Sequence, residues 1–119
     1  VAYAEALKER GCDSIDVSSG GMSPNQAALL DLGPGYQTGF ATQVKRKTGL
    51  ATMTVGLITE PKQAEHILRS GQAVMIALAR QMLYDPRWAW HAAEELSELP
   101  AFPPQYGRAH RSFGQRPAH

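Results

Sequence analysis

The sequence is short of several things, and each shortage removes a class of protein. Its 119 residues contain one cysteine, Cys12, so no internal disulfide can form. A disulfide scaffold is excluded, and a lone thiol fits a reducing, cytoplasmic compartment. No apolar run approaches the eighteen or so residues of a membrane span, and no basic-then-apolar leader stands at the start. An excess of one charge is missing too: 12 Lys and Arg stand against 11 Asp and Glu. A formal net charge of +1 gives no basic field with which to hold nucleic acid or an anionic membrane. Neither is expected as a partner. An initiating methionine is absent as well. The chain opens at Val1 directly into helical sequence, which reads as the continuation of a longer polypeptide.

What is present is a unit that recurs: a helical stretch, a glycine stop, then a short apolar strand. The first copy is "AYAEALKERG" followed by "CDSIDVSSGG". Ala4 and Leu7 continue a face begun at Val1, Lys8 and Arg10 suit a helix C-terminus, and Gly11 suits the position after it. The second is "YQTGFATQVKRKTG" followed by "LATMTVGLIT", with Tyr36, Phe40 and Val44 at i, i+4 and i+8 as its apolar face. The third is "TEPKQAEHILRSG" followed by "QAVMIALAR". There Thr59 can cap, Pro61 fits the first turn, and Ala64, Ile67 and Leu68 face inward.

Helices alternating with strands predict a parallel sheet, here of "SIDVSS", "ATMTVGLI" and "AVMIALA", with both faces covered. A fourth helix is expected from Asp85 as N-cap and Pro86 at N1, burying Ala89, Ala92, Ala93 and Leu96. Three parallel strands make a thin sheet with unpaired edges, so residues 1–99 read as part of a larger α/β fold. The leading parent is a (β/α)8 TIM barrel, of which these would be the last three βα units. A doubly wound open sheet is the alternative. Residues 100–119 read as an irregular tail rich in proline and arginine.

In either parent, ligands bind at the carboxyl ends of the strands. The first strand ends at Ser18 and Ser19, with hydroxyls to offer. The second ends at Gly56 and Leu57, where a glycine lets backbone amides approach an anion. The third ends at Ala79 and Arg80, and an arginine at the tip of an apolar strand supplies a planar fork suited to phosphate. A structural ion pair between Arg80 and Asp85 is the competing reading. The four histidines, His66, His91, His110 and His119, are expected at the surface, and Cys12 is expected to be a buried structural residue. Trp88 and Trp90 are two apart and cannot share a helix face. One is expected on the barrel wall and the other against a neighbouring helix or subunit.

Three segments carry a family resemblance: "IDVSSG", "PGYQTGFATQVKRKTGLATMTVGLIT" and "ILRSGQAVMIALARQMLYDPRWAWHAAEEL". The chain resembles the C-terminal part of the Old Yellow Enzyme family, FMN-dependent ene-reductases built on a (β/α)8 barrel. It is most similar to the NADPH dehydrogenase or xenobiotic-reductase branch, which also ends in a P-x-Q-Y-x-R tail, here "PPQYGR". The resemblance implies FMN and NADPH as cofactors, an enone or other activated alkene as substrate, and a homo-oligomer. It places Ser18 on the ribityl side of the flavin. Gly56, Leu57, Ala79 and Arg80 fall on its phosphate, with Ala79 where the family has glycine. It puts Arg108 at a neighbouring subunit's active site, with Tyr106 as a packing anchor. The family's catalytic residues come from earlier strands, so none is expected here, and the 119-residue chain alone is expected to be inactive. Two other readings stay open: a truncated, non-catalytic remnant, and a phosphate-binding barrel enzyme without flavin.

Overall fold

In the computed structural model, which describes residues 1–20 and 32–109, the repeat is punctuated by glycine. Gly11, Gly49 and Gly71 have φ of +90°, +73° and +72°, the left-handed turn that an L side chain resists. They terminate α1 (Ala2–Glu9), α2 (Thr38–Thr48) and α3 (Pro61–Arg69). A strand follows each: β1 (Ser14–Val17), β2 (Ala51–Thr54) and β3 (Met75–Ile76). The strands form one parallel sheet in the order β1-β2-β3. Ser14 stands beside Ala51 and Val17 beside Thr54, while Met53 stands beside Met75. The chain is therefore α/β, as expected. Gly21, His110 and His119 lie outside the described residues.

Several boundaries differ from the sequence expectation. β3 is two residues long rather than the whole of "AVMIALA", although Val74 and Ala77 each donate a backbone bond to β2, at Thr52 (2.9 Å) and Thr54 (2.8 Å). Arg80 consequently does not end a strand; it opens a short helix, α4 (Arg80–Tyr84), which the apolar pattern does not separate. The next helix, α5 (Trp88–Glu95), starts at Trp88 with Arg87 as its N-cap. Asp85 instead forms a side-chain turn, its Oδ1 accepting the Arg87 N–H at 3.0 Å. Helix α3 is capped from Glu60 rather than Thr59, with Pro61 in its first turn and no side-chain cap bond. In the expected tail, Pro104–Ala109 forms a 3-10 helix.

The buried face of α2 also differs. Thr38, Ala41 and Thr48 face inward, and Phe40 is half exposed. Small residues let the helix lie close to β2, and the threonine hydroxyls are satisfied locally. The Thr48 hydroxyl donates to the Val44 carbonyl at 2.8 Å, and those of Thr38 and Thr54 bond each other across the helix–sheet interface at 3.2 Å. Thr52 and Thr54 are fully buried, and the Thr52 Oγ1 has no partner among the described residues. Among the described residues the sheet is covered on one face, and Ser14, Asp16 and Met75 on the other are exposed.

The core lies between β2, β3 and helices α2 and α3: Ala41, Ile58, Ala64, Ile67 and Ala73, with Val17, Ile76, Leu78 and Trp88 packed around it. Trp88 closes it and donates its indole N–H to the Thr59 carbonyl at 2.8 Å. Trp90, on another face of α5, meets the returning tail, with Phe102 and Tyr106 against its ring. Cys12 is half-buried beside the Ser14 carbonyl at 3.1 Å, and His66 and His91 are exposed.

Two lysines tie neighbouring units together. Lys8 of α1 donates to the carbonyl of Thr48, the last residue of α2, at 2.5 Å. Lys45 of α2 donates to the carbonyl of Gly71, just beyond α3, at 2.6 Å. Each cation meets the carbonyl-rich C-terminal end of the next helix, where a positive charge is favoured.

Candidate functional site

The loops that leave β2 and β3 enclose a cavity of about 170 Å³. Since a water occupies about 30 Å³ in the liquid, this is room for a phosphoryl-sized anion. One wall is the Val55–Thr59 turn and the other is Ala77–Gln81, with Tyr36 and Gln37 closing the side. Of the sequence-predicted residues, Gly56, Leu57, Ala79 and Arg80 all line it.

The Gly56–Leu57 turn has an unusual backbone. Gly56 has φ +119° and Leu57, not a glycine, has φ +51°. Two successive residues at positive φ turn the chain sharply, and Leu57, as a non-glycine residue in that region, carries backbone strain at the cavity wall. A Cβ on Gly56 would stand 2.6 Å from Tyr36 Cε1 and 2.8 Å from Cδ1, so the ring occupies the space where a side chain would be. Among the described residues, the amide N–H groups of Gly56, Leu57 and Ile58 meet no acceptor of the protein. Neither do those of Arg80 and Gln81 at the start of α4. Unpaired backbone donors beside a cavity are what an anion satisfies.

Arg80 makes no ion pair among the described residues. Asp85, its candidate structural partner, is engaged elsewhere: Oδ2 lies 2.6 Å from His91 Nδ1 while Oδ1 takes the Arg87 N–H. The His91 hydrogen bond, and then the Arg87 amide, hold the Asp85 carboxyl below the usual carboxylate range against the opposing pull of desolvation. The ion-pair reading of Arg80 is thus corrected, and its guanidinium remains available to the cavity. Ala79 has φ −101°, so the left-handed backbone that would call for glycine is not adopted there.

Ser18 and Arg108 are elsewhere. Ser18 is exposed just past β1, outside the cavity lining. Its neighbour Ser19 connects to the site indirectly, donating its N–H to the Gln37 Oε1. Arg108 is exposed in the 3-10 helix beside α5.

Tyr36 and Gln37 are the residues that sequence reasoning missed, because the apolar spacing assigns them to the start of α2. They precede it. Gln37 is buried; its amide donates to the Tyr36 hydroxyl at 3.1 Å while its carbonyl holds the loop after β1. The Gly35 N–H donates to the Gly56 carbonyl at 2.7 Å, which binds the same turn to the end of β2. The available signal was the Pro34-Gly35 pair, a turn signature that places the next two residues at the carboxyl edge of the sheet. Among the described residues, no three His, Cys, Asp or Glu side chains come together as metal ligands. No described helix is long and apolar enough to cross a membrane.

With this geometry in place, comparison with known proteins gives a consistent result. Residues 3–98 match the NADH:flavin oxidoreductase / NADH oxidase family. An NADPH dehydrogenase of a Geobacillus species is 46% identical over 111 residues, covering 93% of this chain and 32% of that protein. One from Bacillus licheniformis is 45% identical over 109 residues, covering 92% and 31%; one from Bacillus subtilis is 41% identical over 109, covering 91% and 31%. The chain thus spans about a third of the length of the curated relatives it matches, and the matched region contains β1 to α5 and every cavity-lining residue. The chain belongs to the NADH:flavin oxidoreductase / NADH oxidase family.

Proposed function

We propose that this chain supplies the FMN phosphate site of an FMN-dependent oxidoreductase that uses NADPH to reduce activated alkenes such as enones. The observation that carries the reading is the cavity itself: a phosphoryl-sized space lined by unpaired amides, a glycine with no room for a side chain, and an arginine without a carboxylate among the described residues. In this reading the segment is the last three βα units of a (β/α)8 barrel, in which phosphate is commonly held by the loops after the final strands.

The Arg80 guanidinium binds the phosphate dianion as a fork. The amides of Gly56, Leu57 and Ile58 and the backbone at Ala79 donate to its remaining oxygens. Tyr36 and Gln37 keep the Gly56 turn in shape and shut the side of the cavity. Ser18, at the end of β1, faces the ribityl chain. When bound, FMN supplies the hydride chemistry, and this segment's residues bind and orient it. Arg108 serves the active site of a neighbouring subunit in a homo-oligomer, and groups outside this segment hold the substrate and donate the proton.

The test is retention of FMN by the purified chain after desalting, beside riboflavin, which lacks the phosphate, and beside Arg80→Ala. FMN binds and riboflavin does not, and Arg80→Ala weakens FMN binding about tenfold to a hundredfold, the worth of a charge-assisted pair. Equal retention of FMN and riboflavin, or an Arg80→Ala chain that binds FMN as well as the native one, overturns the assignment.

A further inference from the structure

Helix α5 carries a second cluster that the cavity does not use. After buried Pro100 the chain returns along α5 and lays two rings on Trp90. Phe102 meets it with centroids 5.5 Å apart at 63°, and Tyr106 at 5.4 Å and 64°. Both are edge-to-face, the arrangement the ring quadrupoles favour. Arg87, the N-cap of α5, completes the group. Its guanidinium carbon lies 5.2 Å from the Trp90 ring centroid and 5.1 Å from that of Tyr106, within reach of a cation–π contact to both. Arg87 is itself held in place, since its backbone N–H is fixed by Asp85 and Asp85 by His91.

General hydrophobic collapse does not explain this docking. Leu99, at the start of the same returning segment, is 81% exposed while Tyr106 is 42% exposed. The segment is gripped at its rings and left free at its aliphatic residue. Tyr106 also lies inside the 3-10 helix, whose turn is closed by its own N–H donating to the Pro103 carbonyl at 2.9 Å. Arg108 comes two positions later in that helix, so gripping Tyr106 sets the place of Arg108.

We propose that Arg87 and Trp90 are positioning residues: they clip Tyr106 to α5 of the same chain and so fix where Arg108 presents its guanidinium. The use made of Arg108 rests on the oxidoreductase reading above; the clip does not. The chain is held in cis as far as Tyr106, and only the residues beyond that ring are available to reach a second subunit.

Hydrogen–deuterium exchange of the segment 101–109, with α3 as internal reference, tests the clip in the full 119-residue chain. Arg87→Met keeps the aliphatic stem and removes the cation; exchange in 101–109 rises about fivefold, the worth of two partly exposed cation–π contacts. Exchange in α3 is unchanged, and the near-ultraviolet circular dichroism of the coupled rings weakens. Arg87→Lys restores at least half of the lost protection, which a role in packing alone would not predict. Tyr106→Leu, which lies outside the core and leaves the fold intact, releases the segment to a similar extent. Native protection in both Arg87→Met and Tyr106→Leu overturns the proposal, as does failure of Arg87→Lys to recover what Arg87→Met lost. Arg87 lines no part of the cavity, so FMN retention with Arg80→Ala reports separately on the phosphate site.

Discussion

Gly56→Ala puts the geometry of the cavity wall to a quantitative test. Two costs arise from the structure. At φ +119° an alanine is strained by about 1–2 kcal/mol. Its Cβ would also fall 2.6 Å from Tyr36 Cε1, so the ring must swing away and loosen the Tyr36–Gln37 hydrogen bond, adding about 1 kcal/mol. The expected loss is about 2–3 kcal/mol, read as a fall in the urea midpoint at constant slope. Gly39→Ala is the control. It lies on the exposed side of α2, where an added methyl would meet nothing within 4 Å, and should stabilise by about 0.5–1 kcal/mol. The double variant Gly56→Ala with Tyr36→Ala separates the two costs, because removing the ring relieves the contact and leaves the backbone strain. If Gly56→Ala is as stable as the native chain, or if its cost is the same with and without the Tyr36 ring, the described packing of the turn is wrong.

Two further outcomes concern buried and paired groups. Thr52→Val removes a fully buried hydroxyl without a described partner and should be neutral or stabilising by up to about 1 kcal/mol, whereas Thr54→Val strands the Thr38 hydroxyl and costs about 1 kcal/mol; opposite shifts in thermal midpoint check both. The Asp85 carboxyl is held below its usual range in the folded chain, first by His91, so its contribution is complete above the unfolded value near 3.9 and disappears as pH falls through the lower folded value. Urea midpoints of the native chain and Asp85→Asn should differ by a constant amount above about pH 4 and converge below it; a gap that persists undiminished at the acid end refutes the assignment.

The sequence made the succession of elements legible because glycine and basic residues at helix ends act locally, through backbone sterics and the carbonyls of the last turn. Gly11, Gly49 and Gly71 each stop a helix where expected. That Gly56, Leu57, Ala79 and Arg80 line one cavity was legible for a related reason: strand ends converge in any parallel α/β sheet, so these residues had to be near one another. What was not legible depends on contacts between segments. The apolar spacing of Tyr36, Phe40 and Val44 suggested the buried face of α2. The real face is Thr38, Ala41 and Thr48, because close approach to β2 rewards small side chains that can bond their own helix. The role of Gln37 depends on a loop that arrives from β1, and Arg80 begins a helix because the ladder with β2 ends earlier than its apolar run. No local pattern carries either fact.

The lysine contacts have a consequence for how this architecture can be rearranged. Each runs one way, from the helix of one unit to the terminus of the next, as Lys8 to Thr48 and Lys45 to Gly71. The fastening is head-to-tail and identical in kind at both seams, so a unit is joined to its successor by a residue it carries itself. A helix–strand unit from a relative should therefore be interchangeable at either seam if it brings a lysine in its final turns and a glycine after its last residue. A graft lacking that lysine leaves the following helix with an unopposed carbonyl end, whatever the quality of its apolar face. In this chain modularity resides in two cations at the helix ends, while the cavity lies at the opposite, carboxyl edge of the strands.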